Sequence, residues 1–137
     1  MTTRLALVPG LAATSDAFRR ELARVAERIG TTASNLAAVI SFETGGTFSP
    51  SVPNAAGSGA VGLLQFMPAT ARGLGTTAAE LAQMSAVDQL AYVEKYLRRF
   101  TGRIAAIESL YMAVLWPAAV GKGPDFVLFR QGSKEYE

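Results

Sequence analysis

An apolar segment that ends at two consecutive glycines restricts the fold more than any other feature of the sequence. Residues 36–42 read Leu-Ala-Ala-Val-Ile-Ser-Phe, and then Glu43 and a threonine precede Gly45-Gly46. A run that is apolar on most sides of a helix predicts a buried helix, with Phe42 inside the core. The glycines predict its C-terminal end, because glycine readily adopts the left-handed conformation that follows a helix.

Further helices are predicted on both sides of this segment by apolar stripes that lie next to capping or terminating residues. The first helix carries Phe18, Leu22, Val25 and Ile29 on one face and basic, solvent-facing residues on the other. The predicted fold class is therefore mainly α. The predicted helices cover residues 15 or 16 to 29, 32 or 34 to 43, 69–74, 76 or 77 to 84, 86–100 and 107–116.

Residues 45–62 are rich in Gly, Pro, Ser and Asn, which predicts a loop with at most a small β-hairpin around residues 54–59. A loop of this length in a compact domain favours a functional role. A short apolar run, residues 62–67, follows and contains one amide, Gln65. A single glutamine in such a run is, by itself, more typical of a hydrogen-bonded core amide than of a ligand-binding group.

Composition narrows the chemistry that such a chain can perform. The 137 residues predict a single domain, and 50% of them are hydrophobic and 18% charged, as in a globular protein. The sequence contains no Cys and no His, which excludes thiol nucleophiles, Ser-His-Asp triads and almost every zinc site. Acid–base chemistry near neutral pH therefore requires a carboxylate, a Tyr or a Lys. We expect no cofactor and no metal.

The charge balance and the N-terminus limit the partners. A net charge of +2 and an isoelectric point of 9.2 suit a mildly anionic partner such as a bacterial cell wall. The charges are scattered, so no nucleic-acid partner is expected. The apolar run near the N-terminus is interrupted by Pro9-Gly10, so it is too short for a membrane span and a poor signal peptide. We expect a monomer without stable membrane insertion.

Glu43 is the strongest candidate for acid–base chemistry. It closes an apolar segment at the C-terminal end of a helix, where both the helix dipole and desolvation raise the pKa of a carboxyl group. Glycoside cleavage usually employs two carboxylates, but the other acids lie on amphipathic faces, at helix caps or in the tail. On position alone, Glu43 is equally well explained as the first exposed residue after a helix.

The order and spacing of three motifs carry a family resemblance. The chain has Glu43-Thr44, then Gly-Ala-Val-Gly-Leu-Leu-Gln-Phe-Met-Pro-Ala-Thr at residues 59–70, then Tyr96-Leu97. This pattern resembles the catalytic domain of soluble lytic transglycosylases, which belong with goose-type lysozymes in the lysozyme-like superfamily. The resemblance covers residues 34–122 and implies a lysozyme-like α-helical domain. Residues 123–137 are interpreted as a tail, either natural or the truncated part of a longer protein.

The resemblance assigns site residues position by position. Glu43 matches the catalytic glutamic acid, and Thr44 stands where the family usually has Ser. Gly62 and Gln65 match the Gly and Gln that shape the sugar-binding cleft, and the backbone from Ser58 to Gly62 is expected to hold the sugar. The predicted substrate-binding residues are Thr44, Ser58, Gly62, Gln65, Phe66, Tyr96 and Tyr111.

The third family motif, Ala-Tyr-Asn-Ala-Gly-Pro-Gly, is where this sequence departs from the family. The aligned stretch is residues 112–120, and Ala113-Val114 replaces the Tyr-Asn pair. Tyr111 lies on the same predicted helix and is a candidate to support Glu43 instead, as are Tyr92 and Tyr96. The altered motif resembles phage-associated members of the group.

The resemblance implies an enzyme that cleaves the β-1,4 bond between N-acetylmuramic acid and N-acetylglucosamine in peptidoglycan. The expected reaction is lytic transglycosylation with Glu43 as general acid and base, and the expected partner is the glycan strand. Two alternatives stay open: a hydrolytic lysozyme or chitinase-like enzyme, and a non-catalytic glycan-binding or structural component of a phage or secretion machine. The expected place of action is the cell wall, reached by phage delivery, carriage in a virion or injection.

Overall fold

The computed structural model describes residues 8–54 and 57–115, and this part of the chain is mainly helical, as predicted. It contains six α-helices and two short 3-10 helices, at Leu11–Ala13 and Arg98–Phe100. The described ranges contain no β-sheet. The α-helices are α1 (Asp16–Ile29), α2 (Ala33–Thr44), α3 (Pro68–Gly73), α4 (Ala78–Gln83), α5 (Ala86–Leu97) and α6 (Ile107–Leu115).

Short polar side chains begin four of these helices, and glycines end two of them. The hydroxyls of Ser15, Thr32, Thr77 and Ser85 each accept a hydrogen bond from the backbone N–H three residues further on. After α1 and α2 the chain turns through Gly30 and Gly45, both in the left-handed conformation. Local sequence therefore defines these helix ends.

The core forms where α1 packs against α5 and α2, and where α2 also packs against α6. The predicted stripe of α1 is confirmed, because Phe18, Leu22, Val25 and Ile29 are all buried. Outside this core, the Arg28 guanidinium of α1 forms an ion pair with Glu94 of α5, with 2.9 Å between Nε and Oε2. Helix α2 is thus held between two neighbours, and its C-terminal end reaches the surface.

The prediction that Phe42 lies in the core is wrong: 64% of this residue is exposed. The reason is its rotational position on α2. Successive helical residues are about 100° apart, so Phe42 lies on the opposite side of the helix from Ile40, which is fully buried. Glu43 follows Val39 by four residues, so the carboxylate instead lies on the buried face.

Residues 45–67 form a loop that contains isolated β-bridges and no strand pair among its described residues. Val61 bridges Pro53 on one side and Phe66 on the other, both antiparallel. The bridge between Pro53 and Val61 lies just outside the hairpin expected around residues 54–59. Next to it, the backbone N–H of Asn54 donates a hydrogen bond to the carbonyl of Ala60 at 3.0 Å. Residues 55–56 lie outside the described part.

One predicted helix changes type before its end. The helix predicted over residues 86–100 is α-helical only as far as Leu97 and continues as the 3-10 helix Arg98–Phe100. The last helix is predicted over residues 107–116, and α6 is described over Ile107–Leu115. Trp116, the rest of the third motif, residues 123–137 and the N-terminal residues 1–7 lie outside the described residues. No helix within the described ranges is long and apolar enough to cross a membrane.

Candidate active site

Glu43 is a half-buried carboxyl group in the last turn of α2. Desolvation raises its pKa from the ordinary value of 4.5 to about 7. Within residues 8–54 and 57–115, the carboxylate has neither a hydrogen-bond donor nor a cation that would offset this desolvation. The group is therefore about half protonated at pH 7 and is still accessible to solvent, and a pKa near the working pH suits a general acid.

Two aromatic residues lie beside Glu43. The rings of Phe42 and Tyr111 are in edge-to-face contact, with 5.6 Å between their centroids and an interplanar angle of 88°. Tyr111 is half-buried, and its pKa is raised first by burial and then by the charge of Glu43. The phenol of Tyr111 therefore lies within the electric field of the Glu43 carboxylate. The structure thus brings Phe42, Glu43 and Tyr111 together.

Tyr96, another predicted substrate-binding residue, connects helices. Its hydroxyl donates a hydrogen bond to the backbone carbonyl of Ala113 at 3.1 Å. Its ring contacts Phe66 edge-to-face at 6.0 Å, and the guanidinium of Arg99 lies 5.1 Å from the ring centroid. Burial raises its pKa. Tyr96 therefore links the second motif to α6, the helix that carries Tyr111.

The second motif is a tight loop held by its own hydrogen bonds. The backbone N–H of Val61 donates to the carbonyl of Phe66 at 3.0 Å, and the reverse bond is 2.9 Å long. Gln65 has a positive φ of 54°, a conformation that is strained for a residue other than glycine. Its side-chain amide donates to the carbonyls of Val52 at 3.0 Å and of Gly62 at 3.1 Å. These two bonds of Gln65 stay within the loop and stabilise its strained turn.

Gln89 is a structural residue of this region that the sequence analysis missed. It is fully buried in α5, and its Oε1 accepts a hydrogen bond from the backbone N–H of Leu63 at 2.7 Å. Its Nε2 donates to the carbonyls of Pro50 and Leu81, both at 2.9 Å. One side chain therefore joins the second motif to an earlier part of the loop and to α4. Its position four residues before the buried Val93 is the signal that could have revealed it.

Gly62 shows how closely this loop approaches Gln89. Its φ is +89°, and a Cβ atom added there would lie 2.4 Å from Oε1 of Gln89 and 3.0 Å from the carbonyl oxygen of Pro50. Glycine is required here for both reasons, since a side chain would be strained and would also clash. Its backbone N–H donates to the carbonyl of Val52 at 3.0 Å.

Three of the predicted substrate-binding residues are buried. Thr44 and Phe66 are each 3% exposed, and Gly62 is also buried. The Thr44 hydroxyl donates to the carbonyl of Ile40 at 2.8 Å and accepts from the backbone N–H of Phe48 at 3.0 Å. Little of the surface of these three residues is accessible, and the Thr44 hydroxyl is used inside the protein. Their assignment as substrate-binding residues stays a prediction.

Ser58 occupies the opposite kind of position. It is exposed, and its hydroxyl accepts a hydrogen bond from the backbone N–H of Ala60 at 3.2 Å. Its own backbone N–H donates to Oδ1 of Asn54 at 3.5 Å. Ser58 is therefore accessible at the loop surface, although its contacts within the protein are local to the loop.

The described acidic residues other than Glu43 are exposed or are engaged away from it. Glu21 and Glu94 pair with Arg28, Asp16 pairs with Arg19, and Glu80 accepts a hydrogen bond from Thr76. Desolvation is the cause of the raised pKa of Glu43, and no neighbouring carboxylate contributes to it. Among the described residues, no three acidic side chains cluster closely enough to hold a metal ion. The site is therefore built on one carboxyl group.

A surface cavity of about 490 Å³ lies between the N-terminal 3-10 helix, the residues that follow α2 and the start of α5. Neither Glu43, Gln65 nor Tyr111 lines it, so this volume is separate from the carboxyl group. The cavity is lined by Gly10, Ala13, Thr14, Ser15, Phe18, Gly46, Thr47, Phe48, Ser85, Ala86 and Val87.

Comparisons with protein-family models, curated proteins and solved structures found no match to this chain. The assignment of a function therefore depends on the chemistry of the Glu43 site and on the sequence motifs that surround it.

Proposed function

We propose that this protein is a peptidoglycan lytic transglycosylase that uses Glu43 as its general acid and base. The observation that carries the proposal is the half-buried carboxyl group of Glu43, whose pKa of about 7 allows it both to donate and to accept a proton near neutral pH. The motif spacing around Glu43 and Gln65 supports the choice of substrate. The bond cleaved is the β-1,4 linkage between N-acetylmuramic acid and N-acetylglucosamine, in the cell wall.

The first step transfers the proton of Glu43 to the glycosidic oxygen as the bond to C1 of the muramic acid breaks. The leaving N-acetylglucosamine takes that proton and the bonding electrons. Positive charge develops at C1, and the substrate's own acetamido oxygen stabilises it. Glu43 is now a carboxylate, and its surroundings make it a better base than an ordinary glutamate because its pKa is raised.

The second step closes the sugar on itself. The Glu43 carboxylate removes the proton from the 6-hydroxyl of the muramic acid, and the oxygen attacks C1. The product is a 1,6-anhydro sugar, and the proton returns to Glu43, which is then ready for another cycle. No water is consumed in this reaction.

The isolation of Glu43 favours this reaction over a two-carboxylate hydrolysis. Retaining glycosidases place a second carboxylate about 5 Å away, and inverting enzymes place it at about 6.5 to 9.5 Å. In the described part of the chain, no other acid contributes to the pKa shift of Glu43, whereas a carboxylate about 5 Å away would raise that pKa further. A mechanism in which the substrate supplies both the stabilising acetamido group and the nucleophile requires only one carboxyl group from the protein.

Digestion of purified peptidoglycan, followed by mass spectrometry of the soluble fragments, tests the proposal. The wild-type protein is expected to release fragments that end in 1,6-anhydro-N-acetylmuramic acid, each one water lighter than the reducing sugar. Glu43→Gln is expected to abolish release while leaving the helical circular dichroism unchanged. Glu27→Gln is the matched control, since Glu27 is exposed on α1, and it is expected to leave activity unchanged.

Three results would contradict the proposal in different ways. Reducing ends in place of anhydro ends would indicate a hydrolase. Cleavage of chitin oligosaccharides but not of peptidoglycan would indicate a chitinase-like enzyme. Tight binding to peptidoglycan without any turnover by the wild-type protein would indicate a glycan-binding component.

A further inference from the structure

Phe42 is an exposed aromatic ring directly next to the candidate catalytic acid. With 64% of its surface accessible, it is one of two large apolar side chains that are exposed in the described part of the chain; the other is Met67, at 46%. Single exposed apolar residues are common and require no explanation by themselves. The position of Phe42 is distinctive because it precedes Glu43 in sequence and contacts Tyr111 in space.

The contact with Tyr111 fixes the orientation of the Phe42 ring. The rings meet nearly at right angles, at 88°, with 5.6 Å between centroids, which is the favoured edge-to-face geometry of an aromatic pair. This contact joins the end of α2 to α6. Phe42 is therefore held in place on one side while most of its area faces solvent.

The residues next to Phe42 on α2 indicate the size of the chemical group that can bind to its ring. The helix positions four and seven residues before it, on the same face of α2, are Ala38 and Asn35, both half-buried. The amide of Asn35 donates to the carbonyl of Ala105 at 3.1 Å. Because Ala38 is small and Asn35 is polar, Phe42 provides most of the exposed apolar area on this face of α2. A patch of this size fits a single sugar ring better than a protein partner, which requires a broader apolar surface.

We propose that Phe42 and Tyr111 form a sugar-binding subsite beside Glu43, in which an N-acetylhexosamine ring stacks on Phe42. The ring substituents of a β-1,4-linked glucosamine are equatorial, so axial C–H groups form both of its faces. These C–H groups suit the electron-rich face of an aromatic ring. The phenol of Tyr111, which lies in the field of Glu43, provides a hydroxyl for the polar edge of the same sugar. This inference rests on the proposed function.

Isothermal titration of inactive variants with the tetrasaccharide of alternating N-acetylglucosamine and N-acetylmuramic acid tests the subsite. In the Glu43→Gln background, Phe42→Ala is expected to weaken binding by about threefold to tenfold, the range that one aromatic contact supplies. Phe42→Trp is expected to restore binding. Glu27→Ala, which removes an exposed side chain of α1, is expected to leave binding unchanged. Equal affinities for the Phe42→Ala and Phe42→Trp variants, or equal losses for Phe42→Ala and Glu27→Ala, would overturn the inference.

Kinetics with active protein separate this inference from the proposed function. If the wild-type protein forms anhydro products and Phe42→Ala raises KM with little change in kcat, the subsite is supported. If those products form and Phe42→Ala leaves KM unchanged, the subsite fails and the proposed reaction stands. If no products form but binding still depends on Phe42, the proposed reaction fails and the sugar-binding subsite stands.

Discussion

The half-buried carboxyl group of Glu43 has a cost to folding in addition to its proposed role as an acid and base. It lies on the same face of α2 as the buried Val39, and desolvation raises its pKa to about 7. In the unfolded chain the pKa returns to about 4.5. The folded state therefore binds the proton more tightly than the unfolded state, and the stability of the fold decreases as the pH rises from about 4.5 to about 7.

We predict that Glu43→Gln makes the protein more stable at high pH. Between pH 4.5 and 7 the wild-type protein progressively loses stability as Glu43 ionises more readily in the unfolded chain than in the folded protein. The variant has no such loss, so its advantage should be near zero below pH 4.5 and reach on the order of 3 kcal/mol above pH 7. Urea unfolding at pH 4, 6 and 8 measures this difference.

Glu94→Gln is the control with the opposite sign. The hydrogen bond from Arg28 lowers the pKa of Glu94, so its carboxylate stabilises the folded protein at neutral pH. That variant is expected to be less stable than wild type at pH 8, with the difference fading as the pH falls through the lowered pKa. A pH-independent difference between wild type and Glu43→Gln would contradict the desolvation of Glu43.

At the scale of elements, the contact between the second-motif loop and α5 restricts the position of the loop more than any other contact described in the site. Gly62 lies against the amide of Gln89, and that amide also binds the carbonyls of Pro50 and Leu81. The loop position therefore depends on two residues that are far apart in sequence. Phe66 extends the connection through Tyr96 to the carbonyl of Ala113 in α6.

We predict that Gly62→Ala destabilises the protein by at least about 2 kcal/mol. Its φ of +89° is unfavourable for alanine, and the new methyl group would lie 2.4 Å from Oε1 of Gln89. Gly73→Ala is the matched control: Gly73 is helical, with nothing within 4 Å of an added Cβ. It should be neutral or stabilising by up to about 1 kcal/mol. Similar stabilities for the two variants in urea unfolding would show that the loop relaxes away from Gln89.

A structural feature could be predicted from the sequence when the residues that determine it are close together in the sequence. The starts of α1 and α5 and the end of α2 were predictable because Ser15, Ser85 and Gly45 act within one helical turn. The buried role of Gln89 was not predicted, because its partners Leu63 and Pro50 are 26 and 39 residues away. A helix cap depends on residues that are neighbours in the sequence. The burial of the Gln89 amide depends on partners that reach it only when the loop has folded.

The candidate site shows the same division. Glu43 was predictable from the end of an apolar segment combined with the absence of Cys and His. Hydrophobicity alone predicts a buried Phe42, but the rotational position of this residue on α2 places its side chain outward, at 64% exposure. The approach of Tyr111 to Phe42 and Glu43 depends on how α6 packs on α2, which no local pattern encodes.

At the scale of the whole molecule, one continuous core supports every part of the candidate site. The buried cluster runs from Leu11 to Ala113 and includes residues of α1, α2, α5 and α6. Helix α2 lies within it and carries Glu43 at its surface end. Tyr111 also packs against this cluster. Among residues 8–54 and 57–115, the site therefore lies on helices of the core and has no structural unit of its own.

We therefore predict that activity and helical structure are lost together on unfolding. A single hydrophobic core in a domain of this size favours one cooperative transition. Local opening of a site requires a segment with few buried contacts, and both α2 and α6 are packed in the core. Peptidoglycan cleavage and circular dichroism at 222 nm, both measured across a urea series, should decline at the same urea concentration. Loss of cleavage at a clearly lower urea concentration would contradict this prediction, because it would show that the surroundings of Glu43 open before the core does.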